Sequence, residues 1–118
     1  VGMFETPLED DEIITSVRFP VPGRAAYAKF PNPASKYAIA GVMVAQDGDS
    51  VRVAVSGAGY KVFRVAAMED ALASNFSPGA LDGIGLDPEG LISDPDAGAE
   101  YRAHLVSVMA RRAVEACA

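Results

Sequence analysis

The 118-residue sequence has one cysteine and one histidine, and these two scarcities exclude a good deal. Cys117 alone can form neither an intrachain disulfide nor a cysteine-rich metal site. A reduced, intracellular compartment is the simplest setting for so few thiols. His104 has no Cys or second His to complete the usual ligand spacing, so it reads as a helix-surface or packing residue and no metal site is expected. Serine nucleophiles lack a base: no G-x-S-x-G elbow occurs, and nothing ties Ser56 or Ser107 to His104. An independent hydrolase has no constellation to work with, and no catalytic residue is nominated. Lys and Arg are outnumbered 10 to 16 by Asp and Glu, for a formal charge of −6. Affinity for a phosphate backbone needs many basic contacts, so nucleic acid is not an expected partner. No apolar run reaches the ~18 residues of a membrane span, and the start lacks the basic-then-apolar pattern of a secretion signal. The expectation is a soluble, cytoplasmic protein.

What is present is enough for one domain, residues 1–118, with half of its residues apolar and a modest single core. In "EIITSVRFPVP", Ile13, Thr15, Val17 and Phe19 alternate with Ile14, Ser16 and Arg18, the period of a strand, until Pro20 and Pro22 stop it. "RAAYAKF" reads as a second extended piece before the Pro31-Asn32-Pro33 break. "KYAIAGVMVAQ" suits a buried strand or a buried helix. The "DGDS" turn and the alternation of Val51, Val53 and Val55 favour a hairpin. "KVFRV" is a further strand, after which Val65, Met68 and Leu72 take up helical spacing with Glu69 and Asp70 on the other side. Glycines and prolines between Ser74 and Asp96 leave room for little more than an irregular turn. In the last segment Tyr101, Leu105, Val108 and Met109 make an apolar stripe with Arg102, Arg111 and Arg112 largely off it, and Asp96 can cap the helix start. Strands first and helices last is an α+β pattern: an antiparallel sheet of three to four strands, helices packed on one face, and a long C-terminal helix.

The charges are not evenly spread. Between residues 13 and 66 stand Arg18, Arg24, Lys29, Lys36, Arg52, Lys61 and Arg64, seven basic side chains against Asp47 and Asp49, a local surplus of five. Strand edges carry such residues to discourage edge pairing; the alternative is a basic face toward a phosphate-bearing cofactor or an acidic partner. "VSGAGYKVFRV" poses the same choice. A phosphate loop would need G-x-x-x-x-G-K-S/T or G-x-G-x-x-G leading into a helix N-terminus. Here the third glycine is missing and the continuation is β-like, so Gly57 and Gly59 read as a relaxed turn between strands. The acidic run from Glu9 to Glu12 reads as a solvated turn.

Three stretches together resemble one family. "VGMFETPLEDDEIITSVRFPVP" is similar to the junction of the FAD-binding medium subunits of molybdenum hydroxylases, where F-x-T-x-L leads through an acidic turn into the first strand of the last domain. "YAKFPNPASKYAIAGVMVA" resembles the next section of subunits called carbon monoxide dehydrogenase medium chain. "AEYRAHLVSVMARRAVEA" resembles that family's closing helix, although Gly98 stands where serine is common. The resemblance covers essentially the whole chain and implies the C-terminal domain of such a subunit, with the upstream FAD-binding domains and their Gly-rich loops absent. It implies FAD in the full-length subunit, with binding resting on those upstream domains. The implied partners are an iron-sulfur small subunit and a molybdopterin large subunit. It also implies one cofactor-binding residue: Lys29, in the Tyr27-Ala28-Lys29 match to a flavin-proximal lysine. The start at Val1 rather than Met fits a piece cut from something longer. The contrasting expectation is a stand-alone assembly or binding module without cofactor.

Overall fold

The computed structural model describes residues 5–117. Phe4, which opens the F-x-T-x-L stretch, lies outside the described residues. Four strands, β1 (Arg24–Pro31), β2 (Ala38–Asp47), β3 (Ser50–Ser56) and β4 (Phe63–Arg64), form one antiparallel sheet in chain order. The β2–β3 hairpin turns on Gly48 and Asp49, and Gly48 takes a φ of +55° that suits glycine. "KYAIAGVMVAQ" is thus a strand, paired on both edges, buried on both faces only from Ile39 to Val42; beyond that Val44 stays buried on the helix side while Met43 is exposed on the other.

The first sequence expectation fails. Residues 12–22 pair with no strand, and Ile13, Ile14, Val17, Phe19 and Val21 are all exposed. Alternation makes a segment competent to be a strand, but a ladder needs a second edge to receive it. β1 instead begins after the prolines, at Arg24.

Helices α1 (Ala66–Ser74) and α2 (Ala99–Ala116), with a single 3-10 turn at Pro78–Leu81, cover one face of the sheet. Met68 and Leu72 of α1 and Leu105, Val106 and Met109 of α2 close over Val42, Val44, Val53 and Val55. Ala110 and Ala113 are fully buried, and their small side chains let α2 lie close to the strands. Cys117 sits at the end of α2 with its thiol toward the Val44 carbonyl, and burial pushes that thiol's pKa up.

Glu69 does more than face solvent. β4 is only two residues long, so β3 beyond it would expose an unpaired edge. The Val65 amide donates to the Val53 carbonyl (3.1 Å), and the Glu69 carboxylate accepts the Val53 N–H (2.9 Å). Arg64 pairs with the same carboxylate through two bonds of 2.8 and 2.6 Å. A side chain thereby stands in for the missing strand.

The larger departure from expectation is Arg102, which is 4% exposed. Its Nη1 donates to the carbonyls of Ile39 (2.6 Å) and Gly57 (3.1 Å), its Nε to Ala97 (3.3 Å), and its Nη2 to the Asp94 carboxylate (2.6 Å). One guanidinium joins the start of β2, the loop after β3 and the approach to α2. Asp96 does not cap α2: the N-cap is Gly98, without a side-chain bond, and Asp96 instead accepts from Asn32 (2.7 Å). Asp94 is the organising carboxylate of that turn, accepting from the Asp96 and Ala97 amides at 3.0 Å each.

Both anchors can be tested by unfolding. Arg102→Leu leaves the Ile39 and Gly57 carbonyls without donors, at roughly 1–3 kcal/mol each, so urea unfolding should show a loss of about 3 kcal/mol. Arg102→Lys should recover little of it, because an ammonium cannot reproduce the fork; near-wild-type stability in either variant would contradict the role. Glu69 is held below the usual carboxylate range chiefly by its bond from Arg64, and Asp94 chiefly by the Ala97 amide. Groups with depressed folded pKa contribute stability that is complete above the unfolded carboxylate value, ~4, and is lost as pH falls through their folded values. The urea midpoint should therefore drop below about pH 4, and Glu69→Gln should be less stable near neutrality with a shallower acid slope.

Candidate functional site on the open face of the sheet

The helices cover one face of the sheet and leave the other open. Strand alternation sends Ala25, Tyr27 and Lys29 of β1, Gly41, Met43 and Ala45 of β2, and Arg52, Ala54 and Ser56 of β3 to that open side. Most of these residues are small. Lys29, Gly41 and Ser56 lie in one row across three strands. The Tyr27 hydroxyl meets Ser56 Oγ at 3.0 Å, directly above Gly41. A β-carbon at Gly41 would collide with the Tyr27 ring and with Ser56 Oγ, so this glycine is required for close approach.

Lys29 is exposed on this face, and its Nζ donates to the Lys36 carbonyl at 3.0 Å. An ammonium has three donors, so two remain for a ligand. The carbonyl that aims it belongs to a tight β1–β2 loop. There the Asn32 side-chain oxygen accepts the amides of Ala34 (2.9 Å) and Ser35 (3.1 Å), and the Asn32 carbonyl accepts the Lys36 amide (2.9 Å). Lys36 is held at φ +65°, a conformation that a non-glycine residue keeps only where its surroundings impose it. The Asn32 amide reaches across to Asp96. Lys29 is therefore positioned through Asn32, Asp96 and the Asp94 turn by the buried Arg102. β1 is also an edge strand, where a lysine discourages pairing, as the composition suggested.

The glycines of "VSGAGYK" serve the fold. Gly57 has φ +77°, a β-carbon on it would strike the Ala38 carbonyl, and its own carbonyl accepts from Arg102. Ala58 is fully buried and its carbonyl accepts the Ile92 amide (2.9 Å). β4 follows rather than a helix, so the loop does not lead into a helix N-terminus as a phosphate loop would. His104 lies exposed on α2, Ser56 is engaged with Tyr27, and Ser107 bonds the Ile84 carbonyl (3.4 Å). Among the described residues no group of three His, Cys, Asp or Glu side chains can hold a metal ion, and no helix is long and apolar enough to cross a membrane. Beyond the β3–β4 loop, a groove of about 410 Å³ is lined by Tyr60, Phe63, Leu86 and Leu91 together with Lys61 and Asp87.

Sequence reasoning placed Lys29 on a strand but missed the residues that position it. Arg102 carried a usable signal: with Val106, Met109 and Ala113 it keeps helical spacing on the buried stripe. The expectation that charge faces outward overrode that spacing. Asn32 and Asp96 are 64 positions apart, and nothing local joins them.

The architecture has solved counterparts. The reconstituted CO dehydrogenase from Oligotropha carboxidovorans matches 99% of this chain and 45% of its own with a TM-score of 0.77 and 27% identity. The cyanide-inactivated form of the Cu,Mo-CO dehydrogenase matches the same shares at a TM-score of 0.71 and 25% identity. The domain is thus of the type found in molybdenum hydroxylases. No family model matches the sequence. A curated relative is more specific: the nicotine 6-hydroxylase medium subunit of Paenarthrobacter nicotinovorans is 39% identical over 124 aligned residues, covering 97% of this chain and 44% of that protein. Over nearly its whole length the chain is similar to medium subunits of molybdenum hydroxylases, and it spans a little under half the length of the relatives it matches.

The packing at Gly41 is testable. Gly41→Ala should displace Tyr27 from Ser56 and lower stability by about 1–3 kcal/mol, as overpacking does. Adding Tyr27→Ala should restore part of the loss, and strict additivity of the two changes in urea unfolding would show that the expected collision does not occur.

Proposed function

We propose that residues 1–118 are the C-terminal domain of an FAD-containing medium subunit. This subunit carries electrons within a cytoplasmic molybdenum hydroxylase, between a molybdopterin large subunit with its iron-sulfur small subunit and an external acceptor. The observation that carries this reading is the match of nearly the whole chain to one medium subunit at 39% identity. A stand-alone module draws no support from any of the relatives.

The residues present suit one end of a flavin and not its phosphates. Gly57 and Gly59 are committed to turns, whereas Lys29 offers spare N–H donors on an open face of small side chains. FAD, when bound, takes up and passes on electrons. Lys29 is the residue that would hold the flavin end of the cofactor, and its positive charge would stabilise the negative charge of the reduced form. Its bond to the Lys36 carbonyl holds that charge in place, so little reorganisation of Lys29 would be needed. The phosphates would be held by the subunit's other domains.

In the full-length subunit, Lys29→Ala should retain flavin but lower its potential by on the order of 30 mV, the equivalent of about 1.4 kcal/mol for a two-electron couple. Wild-type potential and reoxidation rate in that variant would remove Lys29 from the flavin site. Unchanged FAD binding after deletion of the whole domain would reduce its role to scaffolding.

A further inference from the structure

We infer that residues 13–19 form a β-strand of a second sheet, built by the part of the medium subunit outside the present domain. The segment has every local property of a strand. Ile13, Thr15, Val17 and Phe19 fall on one side and Ile14, Ser16 and Arg18 on the other, without a glycine or proline. It is bounded as a strand should be. An acidic turn precedes it, closed by the Glu12 amide on the Glu9 carbonyl (3.1 Å) and the Glu9 amide on the Glu12 carboxylate (2.9 Å). Pro20 and Pro22 end it.

Yet among the described residues, none from 13 to 22 takes part in a hydrogen bond, and Ile13, Val17 and Phe19 are 81%, 67% and 80% exposed. The period-2 side is therefore apolar and bare, beside a row of unpaired amides and carbonyls. Such a segment fits the edge of an incomplete sheet.

The four-stranded sheet of this domain does not receive it. β4 offers two residues, and β1 presents charged side chains and runs into a proline. Its end does approach the open face, where Phe19, Pro20 and Pro22 line a groove of about 260 Å³ with Met43, Ala45 and Arg52. A second copy of the segment would make a two-stranded ribbon, which is marginal in water and leaves the apolar side uncovered. The rest of the subunit has the chain to build a sheet, since the relatives are more than twice as long as this domain. The inference rests on the proposed reading of the chain as part of such a subunit.

Hydrogen exchange on the full-length subunit, with flavin content measured on the same sample, tests it. Amides of residues 13–19 should exchange as slowly as those of β2 and β3, and Val17→Pro should abolish that protection while β2 and β3 keep theirs. Val17→Thr should retain it. Exchange of residues 13–19 at the rate of unprotected amides would overturn the inference. So would protection that disappears on dilution to monomer, which would mean pairing with a second copy. A flavin-free subunit with residues 13–19 protected would sink the proposed function and still support the strand.

Discussion

The buried guanidinium of Arg102 is the constraint on which the rest of the domain depends. Taking an arginine out of water is unfavourable unless its donors are matched. Here one of its donors spans two carbonyls and a second meets a carboxylate. Those carbonyls belong to Ile39 and Gly57, at the end of the sheet where β2 begins and β3 gives way to its loop. Apolar packing fixes how closely α2 approaches the strands but is tolerant of sliding along them. The fork fixes the register of the helix against the sheet, because its acceptors are single atoms at set positions.

The same contact organises the open face. Asp94 holds Arg102 on one side and the amides of Asp96 and Ala97 on the other, which sets the turn from which Asp96 reaches Asn32. Asn32 shapes the β1–β2 loop, and that loop presents the Lys36 carbonyl to Lys29. A charged side chain on the face opposite the helices is thus positioned by a residue on a helix. Such a linkage would matter for the ligand contact proposed for Lys29, since a freely rotating lysine would lose more entropy on every contact it made.

The α+β class, the hairpin and both helices were legible because each rests on local periodicity, and the turn role of Gly57 and Gly59 followed from a missing helix. The features that escaped depend on partners distant in sequence. The strand pattern of residues 13–19 states a competence, and no window of sequence says whether an edge is there to receive it. The inward turn of Arg102 was written in its spacing, but composition rules about charge pointed the other way. Glu69 looked like an ordinary helix-surface acid because its task arises from the shortness of β4, which only the folded sheet reveals. Lys29 was singled out by resemblance; periodicity gives its face but not its purpose.

The excess of positive charge in the middle of the chain resolves into separate uses. Arg24 bonds Gln46 (2.7 Å) and stacks 3.7 Å over the Phe76 ring, closing the margin of the helical layer. Arg64 is bound to Glu69, and the Lys36 ammonium turns back onto the Pro33 carbonyl of its own loop (2.8 Å). Arg52 lies near enough to help hold Glu69 ionised. A patch evolved to attract polyanions would leave its charges mobile and solvent-facing, but here several are tied down by specific partners. Three are left: Arg18 stands exposed on the segment before β1, Lys61 lines the groove with Tyr60 and Phe63, and Lys29 projects from the open face, held at its tip by a carbonyl and keeping donors for a ligand. Such an arrangement favours one localised negative charge over an extended phosphate chain, which agrees with glycines that serve turns rather than anions.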